Sequence, residues 1–266
     1  MSETYSGRYE SRICRNAAAL TDSRTFAAKL MDCATEYDTV YMKGVYGAPV
    51  TESLIAGKSK QYPSWYTPAK QAKFRALIGK NVFGFDCVCL IKGMLWGWSG
   101  DSNSRCGGAE YASNGVPDVG VDGLLALCDG VSSDFTQIAV GEILWMSGHV
   151  GVYIGGGLAV ECTPIWADGV QITGVSNVGA PDGYHARKWK KHGKLNAFVY
   201  YPAETVAGDI NGDGLVNAAD VLLAKRAFLG SVKLSGDQLT RGDLDGDGRI
   251  SAADYLWIKR AFLGTL

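Results

Sequence analysis

DINGDGLVNAAD, residues 209–220, recurs as DLDGDGRISAAD, residues 243–254, and each copy is followed closely by KRAFLG. Oxygen-bearing side chains fall at loop positions 1, 3, 5, 9 and 12. In the first copy they are Asp209, Asn211, Asp213, Asn217 and Asp220; in the second, Asp243, Asp245, Asp247, Ser251 and Asp254. Position 6 is glycine both times, Gly214 and Gly248, which permits the sharp turn that gathers the oxygens. A hard cation such as calcium takes six to eight oxygens. The pattern therefore predicts two calcium ions, with the backbone carbonyls of Leu215 and Arg249 completing the two sets. A thirty-four-residue period also fits helical tetratricopeptide repeats, but two copies rich in loop aspartates do not.

Each loop runs into a helix. Val221, Leu222, Leu223, Ala224, Phe228 and Leu229 form an apolar stripe at helical spacing, closed by Gly230. Tyr255, Leu256, Ile258, Phe262 and Leu263 repeat it before Gly264. An EF-hand is helix, loop, helix, but Thr205 to Gly208 is too short for an entering helix. Each unit is therefore expected to be a loop and its exit helix, and position 12 is Asp rather than the EF-hand Glu. This pattern closely resembles the type I dockerins, from about Gly208 to Leu266. The resemblance implies a small all-α calcium module that docks onto the cohesin of a scaffold outside the cell. It also implies that loop positions 10 and 11, with a basic pair further along the helix, contact the cohesin. Here these are Ala218, Ala219, Lys225 and Arg226, then Ala252, Ala253, Lys259 and Arg260. Many dockerins carry Ser-Thr where this chain has Ala-Ala, so the cohesin class is not fixed by the resemblance.

The whole chain has 266 residues, enough for one sizeable domain, 1–203, and a small one, 204–266. Tyr200-Tyr201-Pro202 marks the change. Hydrophobic residues make up 47%, which supports a core, and a net charge of −1 leaves no nucleic-acid footprint. No apolar run approaches the ~20 residues of a membrane span. The first residues, MSETYSGRYESR, do not read as a signal peptide. A scaffold-bound protein is secreted, so a leader removed and a start Met added is the expectation. Seven cysteines, an odd number, leave at least one unpaired in a single chain, and their spacing matches no zinc pattern.

In the larger part, Ala17 to Thr35 reads as a helix with Thr21 or Asp22 as cap. Gly44 to Pro68 reads as a long surface loop, and Lys70 to Ile78 as a short helix. Asp86 is a helix N-cap and Cys87 the first helical residue, a position that favours the thiolate. Strands follow at Gly141–Trp145, Gly148–Ile154, Leu158–Thr163, Gly169–Thr173 and Leu195–Tyr200, with a glycine turn at 155–157. A cysteine at a helix start, then a strand with His and another with a polar residue, is a papain-like α+β arrangement. The histidine takes the thiol proton and the third residue orients its ring.

This stretch, about Ala27 to Tyr201, resembles the NlpC-type cell-wall peptidases and the related CHAP amidases. Asp86-Cys87-Val88-Cys89 stands for their Asp-Cys-Ser-Gly, Gly141-Glu142-Ile143 for Gly-Asp-Leu, and His149-Val150-Gly151-Val152-Tyr153-Ile154-Gly155 for His-Val-Gly-Ile-Tyr-Ile-Gly. The resemblance implies Cys87 as nucleophile, His149 as base, Glu161 as orienting residue and Tyr41 beside the nucleophile. It implies no catalytic cofactor, and a substrate amide in peptidoglycan stem peptides. Val88-Cys89 for Ser-Gly, and a long insertion before His149, depart from the family. Three alternatives stay open: an N-acetylmuramoyl-L-alanine amidase of CHAP type, a peptidase acting on proteins, and a non-catalytic wall binder. Cys89 reads as core. HARKWKKH, residues 185–192, reads as a solvated basic face, and Trp65, Trp96 and Trp98 as core or groove lining.

Overall fold

The protein is described from a computed structural model over residues 21–202, 206–212 and 215–265. Residue packing divides it into two compact units, one ending at Tyr201 and the other beginning at Pro202. The boundary expected at 203/204 lies outside the described residues. Ala17 to Leu20, the expected start of the first helix, lies outside them too.

The larger unit is mixed α/β. Its first helix, α1 (Ser23–Thr35), is capped by Asp22, whose carboxylate accepts from the Arg24 and Thr25 N–H groups at 3.1 and 3.0 Å. A small sheet has the order β2 (Thr39–Tyr41), β4 (Phe83–Phe85), β3 (Tyr46–Pro49). Strand β1 (Thr21–Asp22) pairs in parallel with β12 (Val199–Tyr200).

Two helices, α2 (Glu52–Gln61) and α3 (Pro68–Arg75), follow β3. The long surface loop expected over Gly44 to Pro68 is thus largely strand and helix. The glycines there serve close packing instead: a Cβ at Gly47 would sit 2.1 Å from the Trp98 ring, and one at Gly44 2.4 Å from Tyr62. Both also take positive φ, +96° and +75°, which favours glycine.

The main sheet has seven strands in the order β10-β9-β8-β7-β6-β11-β5. They are β5 (Asp129–Ser132), β6 (Ile143–Met146), β7 (His149–Gly155), β8 (Leu158–Thr163), β9 (Gly169–Val175), β10 (Ala186–Arg187) and β11 (Lys191–Lys194). Only the β10–β9 pairing is parallel. Gly155, Gly156 and Gly157, all at positive φ, turn β7 back into β8. The strand expected over Leu195–Tyr200 is confined to Val199–Tyr200, outside this sheet. Lys191–Lys194 takes the place between β6 and β5 instead, because His192 and Gly193 turn inward while the flanking lysines reach water.

Helix α4 (Cys87–Leu95) leaves β4 through Asp86 and packs with α1 against β7 and β8. Phe26, Leu30, Leu90, Ile91, Val150, Val152 and Val160 are buried together between them. An apolar helix face and the inward side of an antiparallel sheet exclude water this way. A further short helix, α5 (Val121–Ala126), lies in the insertion that precedes β5.

The C-terminal unit is helical: α6 (Ala218–Phe228), α7 (Gly236–Gly242) and α8 (Ala252–Leu263). Ile210, Ala224, Ile250 and Ile258 form its buried centre, where α6 packs on α8. The second loop has an entering helix, α7, so the expectation of a bare loop and exit helix fails for that repeat. Ser235 starts α7 with a reciprocal cap: its Oγ accepts from the Gln238 N–H, and Gln238 accepts from its own.

Asp86 holds two segments at once. One carboxylate oxygen accepts from the Cys89 N–H and the other from the Gly44 N–H, both at 2.7 Å. Asp86→Ala removes both buried bonds and is expected to cost about 2–3 kcal/mol. Asp86→Asn, which keeps one acceptor oxygen, is expected to cost less. Urea denaturation of the two variants against wild type checks the order.

Candidate functional site

The Asp86 cap starts α4 at Cys87, which is 5% exposed and lies against the beginning of β7. The Val150 and Val88 N–H groups and the Tyr41 hydroxyl lie near its sulfur and each favours the thiolate. The structure thus brings Tyr41 and Cys87 together, with Val150 the residue after His149. Tyr41 in turn packs on Trp65, ring centroids 5.9 Å apart.

Helix position alone favours the thiolate, but burial dominates and pushes the Cys87 thiol up to about 11. The charge of Asp86 adds to the rise, and the neighbouring Val150, Val88 and Tyr41 donors oppose it without cancelling it. The lowered thiol pKa expected from the helix start is therefore corrected. Burial likewise raises Tyr41, with Cys87 and Asp86 adding to it.

His149 opens β7 and Glu161 lies on the adjacent strand β8. His149 Nε2 is 2.5 Å from Glu161 Oε2, so Nδ1 is the ring nitrogen left for another partner. One face of the ring stacks on Trp189, centroids 5.6 Å apart and planes 14° from parallel. Glu161 is fully buried and its carboxylate is well supplied with donors. Thr173 Oγ1 donates to Oε1 at 2.7 Å, and Arg187 Nε donates to both oxygens at 2.9 and 2.7 Å. Burial raises the Glu161 pKa, but the bond and charge of His149, then Thr173 and Arg187, outweigh it and leave it lowered.

HARKWKKH is not simply a solvated face. Lys188, Lys190 and Lys191 are exposed, but Arg187 grips Glu161, Trp189 covers His149, and His192 is buried against Glu142. Sequence reasoning missed Arg187, Thr173 and Trp189. The signal for two of them was alternation, since residues 187 and 189 share one side of an extended segment. Cys89 is core, as are Trp96 and Trp98, whose indole N–H groups bond the Val116 and Gly47 carbonyls. All six described cysteines are free thiols; Cys14 lies outside the described residues.

A cleft of about 700 Å³ is bordered by residues that bond Asp86, but not by Tyr41, Cys87, His149 or Glu161. Gly44 and Val45, which bond Asp86 through an N–H and a carbonyl, line it, with Tyr46 and residues 102–106 of the insertion opposite. Its charged lining is basic, Lys58 and Arg105.

In the C-terminal unit, the carboxylates of Asp243, Asp245, Asp247 and Asp254 place an oxygen each within 4.8 Å of one another. A backbone bond from Asp247 favours ionised Asp245, yet burial and the charges of Asp247, Asp254 and Asp243 prevail and raise its pKa. Such crowding fits a cation as the missing partner. Gly248 takes φ +84°, as the turn requires.

Positions 9 and 12 do double duty. Ser251 caps α8, and Asp254 accepts from the Ser251 N–H at 2.7 Å and from the Leu244 N–H at 2.8 Å. Asn217 and Asp220 repeat this at α6, with bonds of 2.9 Å from the Asn217 N–H and 3.0 Å from the Asn211 N–H. Asp209 accepts from the Gly212 N–H at 2.8 Å. Asp213 and Gly214 lie outside the described residues. Leu215 and Arg249 occupy position 7 of each loop.

Residues 207–263 match the family described as Dockerin type I domain. This segment is a type I dockerin domain. No curated protein and no solved structure matches the chain. A dockerin binds calcium and implies a cohesin partner, and so assembly into a cellulosome-like complex. In this dockerin Ala218, Ala219, Lys225, Arg226, Ala252, Ala253, Lys259 and Arg260 are all exposed. The apolar stripes divide. Ala224 and Ile258 turn inward, whereas Leu222, Phe228 and Leu229, and their counterparts Leu256, Phe262 and Leu263, are exposed. Trp257 is exposed where its counterpart Leu223 is half-buried, so the two surfaces differ at that point. Among the described residues, no helix is long and apolar enough to cross a membrane.

Two measurements follow from this geometry. A thiol titrating near 11 is roughly one part in ten thousand thiolate at pH 7, and only the thiolate alkylates. Alkylation of Cys87 by iodoacetamide, followed by peptide mass spectrometry, is expected to rise about tenfold per pH unit from 7 to 10. A rate already flat at neutral pH would instead indicate a resting ion pair with His149. For the dockerin, whose core is only a few side chains, EDTA is expected to lower the helical circular dichroism signal and excess calcium to restore it. An unchanged spectrum would refute metal-coupled folding.

Proposed function

We propose that the larger unit is a papain-like thiol hydrolase that cleaves amide bonds, most of all those of peptidoglycan stem peptides. The dockerin, holding two calcium ions, anchors it to a cohesin-bearing scaffold outside the cell. The observation that carries the enzymatic reading is the His149–Glu161 bond across β7 and β8, the two strands on which the helix headed by Cys87 packs. A nucleophile, a base and a group that fixes the base's ring are the three parts such chemistry needs.

In this reading the substrate carbonyl carbon is attacked by Cys87 Sγ while its proton passes to His149 Nδ1. A thiol held near 11 makes that transfer part of the attack rather than a step completed beforehand. The Cys87 N–H, at the first turn of α4, stabilises the oxyanion. His149 returns the proton to the leaving amine, leaving a thioester on Sγ. Water then attacks the thioester, His149 takes its proton, and the carboxylic acid and the free thiol are restored. Glu161 keeps Nε2 occupied throughout.

One observation favours a second reading. The 5% exposure and high pKa of Cys87 also suit a wall-binding module without turnover.

Incubation with muropeptides, read by mass spectrometry beside a protein-substrate digest, separates these readings. Wild type is expected to release peptide products, Cys87→Ala none, and His149→Ala at least a hundredfold less. Glu161→Gln is expected to retain part of the rate, and Cys89→Ala most of it, because a helix turns about 100° per residue and carries residue 89 away from 87. Full activity in Cys87→Ala would remove thiol catalysis, and binding without products would favour the second reading.

A further inference from the structure

A carboxylate buried as completely as Glu161 costs several kcal/mol to keep charged unless it is paired. His149 alone is a poor permanent partner, because its ring must gain and lose a proton if it serves as a base. Arg187 is charged at every working pH. Its Nε lies 2.9 and 2.7 Å from the two Glu161 oxygens, and its terminal nitrogen donates to Thr163 Oγ1 at 3.2 Å.

The arginine is itself held. Its carbonyl accepts from the Ser176 N–H at 2.8 Å, fixing β10 on β9, and its guanidinium lies 4.6 Å from the centre of the Trp166 ring. Trp166 takes left-handed φ, +62°, unusual for a bulky residue. Gln171 pins the loop that carries it, with Nε2 donating to the Ile165 and Ala167 carbonyls at 3.1 Å each. A strained residue kept in place by a well-bonded loop is the pattern of a preorganised support.

We propose that Arg187 is a positioning residue of this site: bound to both oxygens of Glu161, it makes that carboxylate a fixed, charge-compensated acceptor that orients the His149 ring. This rests on the reading of Cys87 and His149 as a catalytic pair, but its first consequence does not need turnover. Among the described residues, the charged group bonded to the ring is Glu161 from β8, which in turn holds Arg187 from β10, and Cys87 heads α4, the helix packed on the ring's strand. Thr173 from β9 adds a neutral hydroxyl, and His185 is reached only through Trp166, on which it stacks. Removing the arginine charge leaves an uncompensated carboxylate on the ring, which favours its protonated form.

The test is an NMR titration of His149 in the full chain. Arg187→Gln is expected to raise the midpoint by about one unit, a tenfold gain in proton affinity. Arg187→Lys should stay within about half a unit of wild type. Arg187→Gln with Glu161→Gln should also return close to wild type, because both charges are gone. An unmoved midpoint in a folded Arg187→Gln protein overturns the proposal. If that variant does not fold, the double variant decides: a midpoint shifted by a unit or more in either direction overturns it. Where muropeptide hydrolysis is present, the acid limb of kcat/KM should move with the midpoint, and an unmoved limb overturns the catalytic part. Where wild type hydrolyses nothing, the catalytic reading fails, and the titration still decides whether Arg187 compensates Glu161.

Discussion

The carboxylate of Glu161 is the constraint around which the larger unit is arranged. It is fully buried in the main sheet, and each of its partners comes from a different strand: His149 from β7, Thr173 from β9, Arg187 from β10. A buried charge tolerates little misplacement of its donors, because each lost bond leaves an oxygen desolvated. The strand order β10-β9-β8-β7 is therefore a chemical requirement as well as a packing solution. The same demand fixes the histidine. With Nε2 committed to Oε2 and one ring face against Trp189, the ring has little freedom left.

How much of this was legible depended on range. Asp86 capping a helix that begins at Cys87 is a local pattern, readable because an N-cap bonds an N–H three residues on. The His149 hairpin was readable from alternation and three consecutive glycines. Arg187 was not, because its partner lies twenty-six residues away and its segment looked like soluble basic surface. Gly44 to Pro68 misled for a related reason. Glycine density suggested loop, whereas Gly44 and Gly47 are small because Tyr62 and Trp98 press on them. Single-residue chemistry is visible in a sequence; which distant ring presses on which glycine is not.

The dockerin shows the opposite case, in which one short pattern carries nearly everything. Positions 9 and 12 start the helices: Ser251 and Asp254, like Asn217 and Asp220, form capping boxes, and Asp254 also joins the cluster of Asp243, Asp245 and Asp247. The loop pattern and the helix start thus share residues, which is why the repeat was so readable. What the pattern did not show was α7. Among the described residues that helix belongs to the second repeat alone, and its Arg241 reaches back to the Ile210 carbonyl at 3.1 Å, tying the two loops together.

The thiol brings two demands into conflict. A helix start and the nearby Val150, Val88 and Tyr41 donors favour charge on Cys87, while burial and the neighbouring Asp86 oppose it, and the opposing side prevails. Asp86 cannot be removed to relieve this, since it caps α4 and holds Gly44 at the rim of the cleft. The residue that caps α4 and so positions Cys87 thus also opposes its ionisation. A substrate that enters with a carbonyl at the α4 N-terminus would change the balance, because negative charge then develops on an oxygen facing the helix dipole rather than on the buried sulfur. Under the proposed hydrolase reading, reactivity of this kind is conditional on occupancy.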